Sequence, residues 1–136
     1  MAEDKKNPEK IFGIGTDIIE VERIKSAVNS NTLFLKKVFS ENEISYCSSK
    51  KNPDVMYVCF AQRFAAKEAV LKSFGLGILG KIKLNEIEII NNDKGKPVVN
   101  LLGKANLFAL RNNIKRVEIS LSGIKNYVIA FAISLS

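Results

Sequence analysis

The longest uninterrupted pattern in this sequence of 136 residues runs from about residue 54 to Phe74, and it reads as one helix. Asn52-Pro53 restarts the chain before it, and Gly75 and Gly77 end it. On a wheel of about 100° per residue, Phe60, Phe64, Leu71 and Phe74 share one face. The opposite side carries Ala65, Ala66 and Ala69 with Gln62 and Ser73, small residues that suit close packing. A helix crowded on both sides belongs inside the molecule, so the rest of the chain has to wrap around it. Yet Lys67 falls near the middle of the apolar face, with Arg63 one turn before it. A lysine there costs free energy unless it reaches water or meets an anion. Like charges at this spacing repel mildly, which suits an anion held between them. Glu68 and Lys72 flank the stripe and also read as an ordinary surface pair. The helix is both the centre of the fold and a candidate site.

The remaining segments supply its covering. Residues 1–10 are a polar tail carrying Pro8, and 11–136 form a single domain. Ile11 to Ile19 has the apolar character of a buried strand, broken by Gly13 and Gly15. Glu20 to Val28 reads as helical, and Thr32 can cap a short helix through Phe39. Ser40-Glu41-Asn42-Glu43 is a capping box, so a further helix starts near residue 41. Asn85 to Ile90 alternates as a half-exposed strand does, Asn92 to Gly95 is a turn, and Pro97 to Leu102 is the return strand. Lys104 to Asn112 is a short helix, and Val117–Ser122 and Tyr127–Leu135 are two strands joined through Gly123. The expected class is α+β, a small and mainly antiparallel sheet packed with helices, including one long central helix.

Composition removes whole classes of function. The chain contains no histidine, which excludes Ser-His-Asp and Cys-His catalysis and any histidine-bound metal. No apolar run approaches the roughly 20 residues of a membrane span, and the N-terminal residues lack the apolar core of a signal peptide. Cys47 and Cys59 are too few for a disulfide framework or a zinc site, so a reduced, cytoplasmic setting is the simplest expectation. The net charge of +7 favours acidic partners, but the lysines are scattered and no aromatic-basic stacking pattern accompanies them. Neither nucleic acid nor a membrane is an expected partner. Gly75-Leu76-Gly77-Ile78-Leu79-Gly80 satisfies G-x-G-x-x-G, but a helix precedes it and a strand follows, the reverse of a dinucleotide-binding turn.

One carboxylate stands out. Asp17 interrupts the run Ile11 to Ile19, where aspartate is unfavourable. It reads either as a cap for the next helix or as a metal ligand. Paired with Glu68 it would suit Mg²⁺, which takes one or two carboxylates and completes its shell with water and substrate phosphates.

At these two segments the chain resembles a known family. Gly13-Ile14-Gly15-Thr16-Asp17-Ile18-Ile19-Glu20 with Arg23-Ile24 looks like the first motif of the holo-[acyl-carrier-protein] synthases. Arg63-Phe64-Ala65-Ala66-Lys67-Glu68-Ala69 with Lys72 and Gly75-Leu76-Gly77 looks like their second. Gly95-Lys96-Pro97 and Ser120-Leu121-Ser122 with Tyr127 and Ala130 fit later segments. The resemblance implies the 4′-phosphopantetheinyl transferase fold of the short, single-domain type. It also implies transfer of 4′-phosphopantetheine from coenzyme A to a serine of an apo acyl carrier protein, in fatty acid biosynthesis. By the same resemblance Asp17 and Glu68 hold Mg²⁺, and with Lys72 they form the catalytic group. Arg63, Lys67, Lys72, Gly75, Gly77, Gly95, Lys96, Pro97 and Ser122 would meet coenzyme A, and Arg23 the acidic carrier. The short type implies a homotrimer with sites at subunit interfaces. Two positions depart from the pattern: Gly123 stands where members often have histidine, and Leu76 where threonine is common. The competing reading is a non-catalytic module that binds an acidic protein or a nucleotide.

Overall fold

The computed structural model describes residues 8–75 and 81–136. Strand β1 (Ile11–Glu20) leads into helices α1 (Val21–Ser30), α2 (Phe34–Val38) and α3 (Glu41–Ser48), and then into the long α4 (Pro53–Phe74). A hairpin of β2 (Ile87–Asn91) and β3 (Pro97–Leu101) follows, then α5 (Gly103–Arg111), β4 (Arg116–Gly123) and β5 (Tyr127–Leu135). The strands form two antiparallel sheets, one in the order β1-β5-β4 and the hairpin β2-β3. The α+β class and the central helix expected from the sequence are both present.

Local chemistry sets the boundaries. Pro53 occupies the first turn of α4, where its missing N–H costs nothing, and the Asn52 side chain accepts from Asp54 N. Gly75 ends α4 at φ +118°, a conformation a side chain resists. At α3 the capping box is complete: Ser40 Oγ accepts from Glu43 N, and Glu43 Oε1 accepts from Ser40 N. Thr32 caps nothing; α2 starts at Phe34, and the Asn31 side chain takes the Leu33 amide instead. Asp17 is not a helix cap either, because β1 continues to Glu20 and α1 starts at Val21.

The two sides of α4 meet different partners. Its small side, with Ala65, Ala69 and Ser73 buried, lies on the three-stranded sheet. There β1 comes unusually close: a Cβ on Gly13 would run into the Ser73 carbonyl, and one on Gly15 into the Ala69 carbonyl. Only glycine lets the strand backbone rest on the helix backbone. Ser73 Oγ donates to Val70 O and receives the Ser134 hydroxyl at 2.6 Å, so this buried polar pair is satisfied. The larger side of α4 packs on α3 and the hairpin, with Phe60 against Phe39 at 5.0 Å between ring centres and Phe74 stacked on Phe108 at 5.0 Å.

Lys67 meets its anion inside this layer. It is fully buried, and its ammonium donates to Glu43 Oε1 (2.6 Å), Ile87 O (2.6 Å) and Leu84 O (3.1 Å). All three protons are used. Glu43 Oε2 accepts from Ile89 N at 2.8 Å, so the same carboxylate ties α3, α4 and β2 together. Burial pushes the Lys67 ammonium below its ordinary value while Glu43 opposes the shift.

The cysteines require a correction. Cys47 and Cys59 are joined in a disulfide across a Cα–Cα distance of 5.6 Å, within the span such a bond tolerates. Their separation in sequence concealed this. The turn between α3 and α4 folds the last turn of α3 back onto the second turn of α4, which brings the two side chains face to face. The expectation of a reduced pair does not hold in this structure.

Removing one partner of the Lys67–Glu43 pair strands a buried charge. Glu43→Ala is expected to destabilise the fold by roughly 3–5 kcal/mol, while Glu43→Leu combined with Lys67→Met recovers most of the loss. Urea unfolding of the three proteins checks this; a single variant as stable as the parent would contradict it.

Candidate active site

The contact between β1 and α4 delivers the carboxylates. The pleat of β1 turns Asp17, like Gly13, Gly15 and Ile19, toward α4. Glu68 and Lys72 follow one turn apart on α4 and come up beside it. Lys72 Nζ donates to Thr16 O at 2.9 Å and to Asp17 Oδ1 at 3.3 Å. Burial holds the half-buried Glu68 carboxyl above its ordinary value, the Asp17 charge adds to this, and Lys72 partly offsets it. Asp17 and Glu68 together line an open cavity of about 330 Å³. Arg23 from α1 lies on the same wall, and Phe34 and Phe64 form the apolar side.

The donor set suits a hard divalent cation. Two carboxylates repel each other across one wall, and among the described residues a single ammonium touches only one of them. Both can be ionised together at low cost only with added positive charge, and oxygen donors of this kind suit Mg²⁺.

A second cavity of about 370 Å³ lies further toward the start of α4. Arg63 lines it with Gly95 and Pro97 from the hairpin, and with Tyr46, Lys50 and Asn91. Arg63 Nη2 donates to Asn91 Oδ1 at 3.4 Å, and its guanidinium lies over the Tyr46 ring at 4.6 Å. Burial lowers the Arg63 pKa from its ordinary value, with Glu43 and Tyr46 opposing the shift. The Arg63 Nε is buried without a partner among the described residues.

The predicted residues thus divide. Asp17, Glu68 and Arg23 line one cavity, with Lys72 bound to Asp17, and Arg63, Gly95 and Pro97 line the other. Lys67 is a correction: its ammonium is spent on Glu43 and two carbonyls, so it has no proton left to frame a phosphate. Lys96 Nζ donates to Glu118 Oε1 at 3.1 Å. Ser122 is exposed on β4 and alternates with Leu121, the neighbour that lines the second cavity. Gly75 ends α4, and Gly77 lies outside the described residues. A side chain at Gly123 would approach Gln62 Nε2 at 3.1 Å, and Gln62 lines that cavity. Tyr46, Lys50, Asn91 and the structural role of Gly13 and Gly15 were not foreseen. The alternation along β1 could have flagged the glycines, because both fall on the face of Asp17.

Comparison with known proteins identifies the family. Residues 13–132 match the family model of the 4′-phosphopantetheinyl transferase superfamily. The holo-[acyl-carrier-protein] synthase of Ruminiclostridium cellulolyticum is 47% identical over 121 residues, covering 88% of this chain and 89% of that protein. That of Clostridium perfringens is 44% identical over 128 residues, covering 90% and 92%. Among solved structures, the Plasmodium yoelii holo-ACP-synthase superposes with a TM-score of 0.82 at 35% identity, covering 96% of this chain and 98% of that one. The Bacillus anthracis enzyme, in complex with CoA (3′,5′-ADP), gives 0.76 at 32% identity, covering 93% and 97%. With its carboxylate pair and its second motif inside the matched region, this chain belongs to the 4′-phosphopantetheinyl transferase superfamily.

Proposed function

We propose that the chain is a holo-[acyl-carrier-protein] synthase. It transfers 4′-phosphopantetheine from coenzyme A to a serine of an apo acyl carrier protein and releases 3′,5′-adenosine diphosphate. The observation that carries this reading is the pair Asp17 and Glu68, brought from β1 and α4 onto one open cavity, with Lys72 bound to Asp17 beside it. The names of the most similar relatives support it.

The chemistry suits these residues, because phosphoryl transfer needs positioning and charge stabilisation more than a nucleophile of the enzyme's own. Asp17 and Glu68 would hold Mg²⁺, which when bound neutralises charge on the pyrophosphate. Lys72, held by Thr16 O and Asp17, sets a cation where charge builds on the phosphorus. The carrier serine attacks the phosphorus attached to pantetheine, and the bond to 3′,5′-adenosine diphosphate breaks. Arg63 in the second cavity takes a coenzyme phosphate, with Gly95 and Pro97 near the adenosine end. Arg23, beside the carboxylates, meets the acidic helix of the carrier. The same reading sets the enzyme in fatty acid biosynthesis, in the cytoplasm.

The working form is a homotrimer with sites at its interfaces. The side of the β1-β5-β4 sheet away from α4 is apolar and uncovered: Ile18 is 66% exposed, Ile14 60%, Ile129 45% and Phe131 44%. Neighbouring register places Ile18 opposite Ile129, so these residues form one patch, at the edge strand that carries Asp17. A patch of this kind favours a second copy over water. The family resemblance supplies the number three.

Asp17→Asn and Glu68→Gln are each expected to lower transfer by about 100-fold or more, the scale of losing a main electrostatic stabiliser, while leaving the fold intact. The readout is the mass of an apo carrier protein incubated with enzyme, coenzyme A and Mg²⁺. A carrier that never gains phosphopantetheine from the parent enzyme would favour the non-catalytic binding module. Ile18→Glu with Phe131→Glu is expected to yield monomers by sedimentation and to abolish transfer; a fully active monomer would overturn the trimer. The pH dependence follows from Glu68. Its pKa in the fold is raised, so its contribution to stability is present while it is protonated and is lost as pH rises through that value. Without metal, this contribution should make the melting temperature fall relative to that of Glu68→Gln as pH rises from the carboxylate range to neutrality. Asp17→Asn should flatten the fall, and Mg²⁺ should stabilise most at neutral pH.

A further inference from the structure

Arg63 is only 4% exposed, yet its contacts among the described residues are all neutral: Cys59 Sγ at 3.6 Å, Asn91 Oδ1 at 3.4 Å and the Tyr46 ring at 4.6 Å. Its buried Nε has no partner among the described residues. Glu43, the carboxylate that acts on it, is already spent on Lys67. A buried cation in this position calls for an external anion. The cavity it lines also holds Lys50 and has no carboxylate on its walls.

The groups that fix Arg63 are linked to one another. Tyr46 precedes Cys47 on α3, and Cys59 lies one turn before Arg63 on α4. The Cys47–Cys59 bond therefore ties the ring on one side of the guanidinium to the sulfur on the other. Tyr46 Oη accepts from Asn91 Nδ2 at 2.9 Å and from Lys50 Nζ at 3.3 Å, and Asn91 in turn accepts from Arg63. The Glu43–Lys67 pair joins α3 to α4 separately, deeper in the core.

We propose that Tyr46, Asn91 and the Cys47–Cys59 disulfide are positioning residues that hold the Arg63 guanidinium ready for a phosphate of the coenzyme, so that the thiol–disulfide state of the pair sets coenzyme affinity. The inference rests on the coenzyme reading above. Reduction by a small dithiol breaks the S–S bond and supplies two electrons and two protons. It leaves two protein thiols and the cyclic disulfide of the reductant, and no bond to the coenzyme forms. The Tyr46 ring then loses its tie to α4, and Arg63 must be ordered by the ligand itself, which costs affinity.

The test compares protein oxidised in air with protein reduced by dithiothreitol, the thiols being counted by mass after alkylation. In the reduced protein, calorimetric binding of 3′,5′-adenosine diphosphate should weaken by about three- to tenfold, the scale of ordering one long side chain on binding. The KM for coenzyme A should rise in step, while kcat and the KM for the carrier stay within about twofold. Cys47→Ser should match the reduced protein and ignore reductant. Tyr46→Leu should bind as weakly, and Tyr46→Phe, which keeps the ring, should recover most of the affinity. Free thiols in the air-oxidised protein, equal affinity in both states, or a loss of kcat together with helical signal would each overturn the inference. Absence of binding and of transfer in every state would overturn the functional reading with it.

Discussion

Everything at the carboxylate site depends on how closely β1 approaches α4. Gly13 and Gly15 let the strand backbone lie against the carbonyls of Ala69 and Ser73, with no side chain between them. One pleat further along, Asp17 comes up beside Glu68 and Lys72. A methyl group at either glycine would lever the strand outward and separate the carboxylates. The Gly-x-Gly pair, which can pass for a fragment of a nucleotide loop, is a spacer that sets a distance between two acids. The hydroxyl pair of Ser73 and Ser134 keeps that contact dry without leaving a polar atom unmatched.

The far side of α4 handles the opposite problem, charge inside a packed layer. Lys67 and Glu43 are both removed from water, and they tolerate this because each remaining donor and acceptor finds backbone: Leu84 O and Ile87 O for the ammonium, Ile89 N and Ser40 N for the carboxylate. The pair registers α3 and the hairpin on the central helix and is unavailable for catalysis. The two lysines of the second motif thus have separate tasks. Lys67 faces inward and fixes the frame, whereas Lys72 is part-exposed and pairs with Asp17.

Between these extremes lies Arg63, buried like Lys67 but without a carboxylate. Its surroundings are an aromatic ring, an amide and a sulfur, which orient a guanidinium without neutralising it. The hairpin turn contributes Gly95 and Pro97 to the same cavity, so α3, α4 and the hairpin meet there just as β1, α1, α2 and α4 meet at the carboxylates.

Much of this was legible in the residues. The central helix was visible because apolar and small residues crowd both its sides, and the capping box at Ser40 and the turn at Asn92 mark their elements by local hydrogen bonding alone. Asp17 stood out because a carboxylate in an apolar strand demands a reason. Motif order then carried Glu68, Lys72 and Arg63. Lys67 was misread because the wheel shows that a charge lies inside but not which partner folds over it; Glu43 arrives from another helix. The cysteines, twelve positions apart, show no pairing signal until α3 turns back on α4. Tyr46 and Asn91 were invisible for the same reason, since neither belongs to a spaced motif. The sequence by itself determined which segments become helix or strand and which groups carry the chemistry, because periodicity, capping and side-chain type are local. The tertiary structure alone decided which charges face each other, which are consumed in the core and which stay free for a ligand, because those outcomes depend on distances between segments far apart in the chain.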